Sequence, residues 1–207
     1  MRLLSAGDLL VVWEAARAQG PVQRALALLA VAVPEYGYDR LLDLSIGERD
    51  GLLRTLRAQL FGPRLSSLAA CPACGAQAEL DFAVDDIRVQ GEPVSAEGAT
   101  VVVADRIVRF RLPTSRDLLV VTADANLSAA RTRLLQRCLL MDDQPAHARI
   151  DPAIEAQVTA AIARHEPQAD IRLALQCPAC SHAWEALFDI VGFVWREIDS
   201  WAVRLLH

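Results

Sequence analysis

Two identical Cys-Pro-Ala-Cys motifs constrain this chain more than any other feature of its sequence. Cys71 and Cys74 bracket the first motif, and Cys177 and Cys180 bracket the second. A C-x2-C pair brings two thiolates within reach of one metal ion, and two pairs complete a tetrahedral site of four sulfurs, for which zinc is the typical ion. Residues 75–176 lie between the motifs, so a shared ion would join the middle of the chain to its C-terminal part. The sequence therefore predicts a zinc site with these four cysteines as ligands.

The residues that follow the two motifs repeat one pattern. A pair of small or polar residues, Gly75-Ala76 or Ser181-His182, leads into a strand-like stretch at 78–84 or 183–190. A cysteine turn followed by a strand, present twice, is typical of a zinc ribbon. Four sulfurs close the coordination sphere, whereas a catalytic zinc keeps one position open for water. We therefore interpret the site as structural, and His182 as a turn residue or a donor to the site, with replacement of one sulfur by His182 as the alternative.

Two other interpretations of the cysteines stay open at the level of sequence. The two pairs could act independently or form two disulfides. They could also be thioredoxin-like redox pairs, although in those proteins the C-x-x-C motif opens a helix after a strand, whereas both motifs here precede strand-like stretches. The fifth cysteine, Cys138, lies in the apolar segment 134–141 and is interpreted as a buried helix residue.

Composition limits the class of protein. The chain has 207 residues and 53% hydrophobic residues, which is enough for one large domain or two small ones with a sizeable core. It contains no apolar run of the length that a membrane span needs and no signal peptide of the usual form. A free cysteine beside metal-type motifs fits a reducing cytoplasm.

Charge argues against one class of partner. The formal net charge is −5, and four thiolates with one divalent ion would make it more negative. Non-specific binding of nucleic acid depends on neutralising phosphates. An acidic ribbon protein is therefore a poor candidate for that function.

The periodicity predicts an α+β fold in three parts. These are a helical N-terminal region at 1–66, a zinc-ribbon module at 67–189 that carries a long α/β insertion at 85–168, and a C-terminal amphipathic helix at 190–207. Three capping boxes predict helix starts, and they lie at Ser5–Asp8, Ser45–Glu48 and Thr114–Asp117. Further helices are expected after Asn126 and from Asp151-Pro152, a hairpin over 101–112, and a strand over 168–176.

Two finer expectations concern the middle of the chain. In the helix that ends near Leu60, leucines should form the inner face, and Arg49, Arg54 and Arg57 should lie outside. After the helix-breaking pair Gly62-Pro63, a short turn of helix is expected to lead to the first motif.

Two surfaces are candidates for partner contact. The C-terminal helix has an apolar arc wider than a single stripe, so Phe193, Trp195 and Trp201 belong either to a deep core or to a partner-binding face. Arg109 and Arg111 lie on the polar side of the second hairpin strand, where they either grip an acidic partner or face solvent. The sequence contains no phosphate-binding loop, dinucleotide fingerprint, zinc-protease motif or nucleophile elbow, and we expect no enzymatic activity.

An ordered set of short motifs resembles a known family. The chain is similar to the T4-type baseplate hub assembly proteins, or assembly chaperones, of contractile phage tails and extracellular contractile injection systems. The resemblance covers most of the chain and is carried by residues 47–53, 60–65, 71–75, 109–115, 173–180, 188–191 and 195–199.

The resemblance implies a non-enzymatic assembly factor that acts in the bacterial cytoplasm and binds hub or baseplate subunits. It implies neither that the protein stays associated with the phage-like particle nor that it leaves it. It implies no oligomeric state. Ser181 stands where similar proteins often carry glycine, which a turn tolerates, and the chain ends at His207 where similar proteins continue with further helix. A partner surface is therefore expected to be missing or reduced. The alternative functions are a nucleic-acid-binding zinc ribbon and a thiol oxidoreductase.

Overall fold

The computed structural model describes residues 1–95, 97–122, 126–140 and 150–206. These residues have the predicted α+β fold, with a helical N-terminal region, three small antiparallel sheets and a C-terminal helix. The helices are α1 Ala6–Ala16, α2 Pro21–Ala32, α3 Tyr38–Asp43, α4 Ile46–Phe61, α5 Ser115–Val121, α6 Leu127–Cys138, α7 Pro152–His165 and α8 Ile190–Leu206. The strands are β1 Arg64–Ala70, β2 Gln77–Ala83, β3 Ala99–Val103, β4 Arg106–Phe110, β5 Arg172–Gln176 and β6 Ala183–Leu187. No helix in these ranges is long and apolar enough to cross a membrane.

The chain folds into two compact units, each made of separate segments. The first unit comprises Met1–Glu35, Asp50–Val89 and Asp170–His207, and the second comprises Tyr36–Arg49 and Gln90–Ala169. The strand pairs β1–β2 and β5–β6 belong to the first unit, and β3–β4 belongs to the second. The division of the chain at residues 66 and 189, expected from its sequence, stays a prediction.

All three capping boxes are confirmed. In the first, the Asp8 N–H donates to Ser5 Oγ at 3.2 Å, and the Ser5 N–H donates back to the Asp8 carboxylate at 2.8 Å. The boxes that start α4 and α5 show the same reciprocal pair of hydrogen bonds. Each box satisfies backbone N–H groups that the first turn of a helix leaves without a partner, so a local signal sets these three helix starts.

The segment before the first cysteine motif corrects one expectation. A turn of helix was expected there, but β1 pairs with β2 in an antiparallel register from Arg64↔Ala83 to Ala70↔Gln77. The sequence of β1 is rich in serine and alanine and carries little strand pattern. Pairing with β2 fixes its conformation, and pairing is not visible in the sequence of β1 alone. Strand β5 is also shorter than expected, because residues 167–169 form a 3-10 turn.

The outward placement expected for three arginines of α4 is wrong. Arg49, Arg54 and Arg57 are buried, as are Leu53 and Leu56 on the expected inner face. Arg57 is only 3% exposed, and its guanidinium donates to the Glu197 carboxylate at 2.8 and 2.6 Å. A buried cation is stable when its hydrogen bonds are satisfied. The partner lies on α8, so the helical pattern of α4 could not reveal it.

Each unit has its own apolar core. In the first unit a cluster is formed by Leu65, Val84, Ile87, Ile171 and Phe193. In the second unit the hairpin β3–β4 packs on α6 and α7 through Val103, Val108, Phe110, Leu135, Ile154, Val158 and Ala161. Cys138 ends α6 and is buried, as expected.

Candidate metal centre

Both cysteine motifs lie at the tips of β-hairpins in the first unit. The first motif connects β1 to β2 after the closing pair Ala70↔Gln77, and the second connects β5 to β6 after Gln176↔Ala183. Each motif therefore sits between two strands, and neither opens a helix as a thioredoxin-like pair would.

The two turns have the same backbone hydrogen bonds. In the first, the Cys71 N–H donates to Ala76 O and the Gly75 N–H donates to Cys71 O, both at 2.9 Å. In the second, the Cys177 N–H donates to His182 O at 2.8 Å and the Ser181 N–H donates to Cys177 O at 3.0 Å. The matching bonds give the four sulfurs a near-symmetric backbone support.

The four sulfurs converge. The Sγ atoms of Cys71 and Cys180 are 3.8 Å apart, those of Cys74 and Cys177 are 3.6 Å apart, and all four lie within 4.8 Å of one another. A tetrahedron with metal–sulfur bonds of about 2.3 Å has edges of about 3.8 Å. A disulfide needs about 2.05 Å, so the thiols form neither separate pairs nor disulfides. The donor set and its spacing fit one tetrahedral metal ion.

The surroundings of the sulfurs differ between the first and last cysteine of each motif. Cys71 and Cys177 are buried, while Cys74 and Cys180 are exposed. A metal ion held here would therefore be covered by protein on one side and reachable from solvent through the outer two ligands.

Backbone N–H groups favour a thiolate at one position. The N–H groups of Cys180 and Ala179 lower the pKa of Cys177 to about 6. The His182 N–H lowers the pKa of Cys180, but the thiols of Cys74 and Cys177 beside it outweigh that effect and raise the pKa to about 12. Crowded thiols oppose each other's ionisation, whereas a divalent cation would favour the thiolate form of all of them. The arrangement is suited to binding a cation.

His182 is not part of the sulfur group. Its exposed ring stacks on Trp184, with 6.3 Å between centroids and 12° between planes. Its backbone carbonyl accepts the hydrogen bond from Cys177. Within the described part of the chain the potential ligand set at this place consists of the four cysteines alone. The geometry thus agrees with a turn role for His182.

The structure places the candidate partner-binding residues in different environments. Phe193 and Trp195 are buried, and the guanidinium of Arg57 lies 5.4 Å from the centroid of the Phe193 ring. Trp201 is half-buried. Arg109 is exposed, whereas Arg111 is half-buried and bound to a carboxylate. Contact of any of these five residues with a partner stays a prediction.

Asp117 is the centre of a network that the sequence signalled only as a helix cap. It is fully buried and accepts hydrogen bonds from Arg111 at 2.9 Å, from Arg137 at 2.7 Å and from the Thr114 N–H at 3.0 Å. Burial alone would raise its pKa, but the Arg111 guanidinium, the Thr114 N–H and Arg137 outweigh it and lower the pKa to about 2. The capping box predicted the hydrogen bond between Thr114 and Asp117. No local sequence pattern predicted the hydrogen bonds that Arg111 and Arg137 donate to Asp117.

A cavity of about 550 Å³ lies in the second unit beside the start of α4 and the end of α7. Two of its carboxylates bind backbone N–H groups at the start of α4. Glu48 accepts from the Ser45 N–H at 3.0 Å, and Glu166 accepts from the Gly47 N–H at 2.7 Å. Glu166 was missed in the sequence because its partner is distant along the chain. Both acids serve the helix start, where negative charge is stabilising.

A comparison with protein families adds to this geometry. A family model described as T4 bacteriophage base plate protein matches residues 26–195, a range that includes both cysteine motifs. No curated protein and no solved structure matches the chain. The family match covers well over half of the 207 residues. The chain therefore belongs to the T4 bacteriophage base plate protein family.

Proposed function

We propose that this protein is a zinc-stabilised, non-enzymatic assembly factor, a chaperone or adaptor, for the baseplate hub of a contractile phage-like tail or injection system. The observation that carries the proposal is that the family match and the four-sulfur site share one range of residues. The family match spans residues 26–195, and the four converging sulfurs lie within it. Membership of a baseplate family implies that the partners are other baseplate proteins.

Zinc is the ion that best suits the site. Thiolates are its preferred soft ligands, and it imposes no geometry other than the tetrahedral one that four sulfurs provide. Binding of zinc to sites of this kind contributes about 10–16 kcal/mol. Closing a loop of about 100 residues costs about 5 kcal/mol in chain entropy. An ion that joins the two hairpin tips can therefore determine whether they stay together.

The closed ligand set supports a scaffold role for the ion. Four sulfurs leave no coordination position for water or substrate, which a catalytic zinc requires. The ion would instead hold the hairpins β1–β2 and β5–β6 as a rigid support. The surface so formed would provide one of the contacts that baseplate or hub subunits make with this protein before or during their assembly in the bacterial cell.

The test is removal of two ligands from one hairpin. The double variant Cys71→Ser, Cys74→Ser should lose the ion, melt at a lower temperature and no longer co-purify with co-produced baseplate proteins from the same genome. Metal content is measured by elemental mass spectrometry on the same sample. Cys138→Ala is the matched control, because it removes a thiol that lies outside the sulfur group and should keep the ion and the partner.

Two results would contradict the proposal. The first is a purified wild-type protein without zinc whose melting temperature does not change on adding zinc. The second is a double variant that melts and binds baseplate proteins like the wild type. Binding retained without the ion would show that the partner-binding surface does not depend on the metal site.

A further inference from the structure

The hairpin β3–β4 of the second unit has one buried face and one face in solvent. Val103, Val108 and Phe110 point into the core. Val102 and Ile107 point the other way, form a direct cross-strand pair, and are 66% and 73% exposed. Two large aliphatic side chains opposite each other at the surface form an apolar patch that folding of this chain leaves in water.

The two edges of this hairpin differ. On the β4 side, the Leu140 N–H donates to Arg109 O at 2.9 Å, and the Arg111 N–H donates to Cys138 O at 2.8 Å. The residues that end and follow α6 therefore occupy the β4 edge. On the β3 side, no backbone hydrogen bond to another segment occurs within the part of the chain that the structure describes.

Hairpin geometry identifies the groups at the β3 edge. Val103 and Arg106 flank the two-residue turn and form a hydrogen-bonded pair. Such pairs alternate with non-hydrogen-bonded pairs along an antiparallel ladder. The backbone N–H and C=O groups of Thr100 and Val102 therefore point away from β4, as those of Arg109 do on the opposite edge.

The sequence of β3 lacks the usual protection of an edge strand. Natural edge strands carry charges, proline or bulges. These features prevent their unpaired backbone groups from pairing with strands of other chains. Residues 99–103 read Ala-Thr-Val-Val-Val, with neither a charge nor a proline. This composition favours strand pairing.

We infer that the β3 edge binds an extended segment of another baseplate protein as an added strand. Backbone groups of Thr100 and Val102 would pair with the added strand, and its apolar side chains would cover Val102 and Ile107. Strand addition of this kind takes its affinity from main-chain bonds and its specificity from alternate side chains. The inference rests on the proposed function, because that function supplies the class of partner.

Charge defines the partner further. Arg109 lies on the same outward face as Ile107, and its guanidinium donates to the Glu97 carbonyl at 3.2 Å. Within the described residues it has no carboxylate partner, and neither does the exposed Arg106 beside the turn. The added segment should therefore combine apolar residues with at least one acidic residue facing Arg109.

The experiment uses the full chain with zinc and each purified baseplate protein from the same genome. Dissociation constants are measured for the wild type and for Ile107→Ser and Arg109→Glu. Leu127→Ser is the control, because Leu127 is an exposed aliphatic residue of the same unit outside the hairpin. Both hairpin variants should bind at least about tenfold more weakly, and the control should bind like the wild type.

Amide exchange by NMR identifies the mode of binding. The partner should protect the amides of Thr100 and Val102 and leave those of Val101 and Val103, which already bind β4, unchanged. Wild-type binding that the hairpin variants retain would overturn the inference and leave the proposed function intact. Absence of binding to any baseplate protein would overturn both. Protection that appears without a partner and rises with protein concentration would assign the edge to a second copy and overturn the inference.

Discussion

At the scale of single residues, Gly75 and Ser181 hold equivalent places in the two cysteine turns. Both have left-handed backbone conformations, with φ of 75° and 59°. Glycine adopts this region at no steric cost, whereas a residue with a Cβ pays about 1 kcal/mol. We expect Ser181→Gly to increase the free energy of unfolding of the zinc-loaded protein by about 1 kcal/mol, measured by denaturant titration.

Gly75→Ala is the matched substitution in the other turn. A Cβ at this position would have no neighbouring atom within 4 Å, so its cost is conformational alone. We expect a loss of about 1 kcal/mol. Shifts of the same sign for both variants would contradict the equivalence of the two turns.

Asp117 gives the second unit a defined response to acid. Its pKa is lowered to about 2, while an unfolded chain has the ordinary carboxyl value of about 4. A carboxyl with a lowered pKa contributes stability above its unfolded pKa, and that contribution is lost as pH falls through its folded pKa. The free energy of unfolding should therefore fall between about pH 4 and pH 2, with about 2 kcal/mol from Asp117.

The variant Asp117→Asn isolates this contribution. It should be less stable than the wild type at pH 7, and the difference should narrow as pH falls toward 2. Denaturant unfolding followed by circular dichroism at each pH measures both curves. A variant whose curve runs parallel to that of the wild type down to pH 2 would show that the network has no such effect.

At the scale of elements, local chemistry made much of the fold predictable. The capping boxes at Ser5, Ser45 and Thr114 each act within four residues, and each marks a helix start in the structure. The cysteine site was also predictable. Each C-x2-C turn is set by neighbouring residues, and the preference of thiolates for a shared metal ion indicates that the two turns meet. Neither β1 nor the burial of Arg57 was predictable. The strand β1 forms only by pairing with its hairpin neighbour β2, since its own serine- and alanine-rich sequence carries little strand pattern. The burial of Arg57 depends on Glu197, which is distant in the chain.

The link between α4 and α8 gives a prediction at this scale. Arg57 and Glu197 form an ion pair in which the Arg57 side chain is buried. The Arg57 guanidinium also donates a hydrogen bond to Gly62 O at 2.8 Å. The single variants Arg57→Met and Glu197→Gln should each destabilise the protein. Their double variant should lose less than the sum, because the pair is broken only once. The expected coupling free energy is about 1–3 kcal/mol.

A double-mutant cycle by denaturant unfolding measures this coupling. Arg172 and Glu185 form an exposed pair at 3.8 Å in the same unit and serve as the control cycle, with an expected coupling below about 1 kcal/mol. Equal coupling in the two cycles would mean that burial adds nothing to the Arg57–Glu197 pair.

At the scale of the whole molecule, the metal ion should stabilise one unit selectively. All four sulfurs belong to the first unit, and each hairpin that carries them has only two strands. Two-stranded hairpins are marginally stable alone. Removal of the ion with a chelator should therefore increase hydrogen exchange in β1–β2 and β5–β6, and addition of zinc should restore protection.

The second unit provides the internal control for this experiment. Its hairpin β3–β4 is held by an apolar core that includes the fully buried Phe110 and Val158, so exchange there should change little on chelation. Exchange measured by mass spectrometry reports both units in one sample. If chelation left β1–β2 and β5–β6 protected, the sulfur group would not hold them together. If chelation increased exchange in β3–β4 to the same degree, loss of the ion would unfold both apolar cores together. The two units would then unfold as one cooperative body.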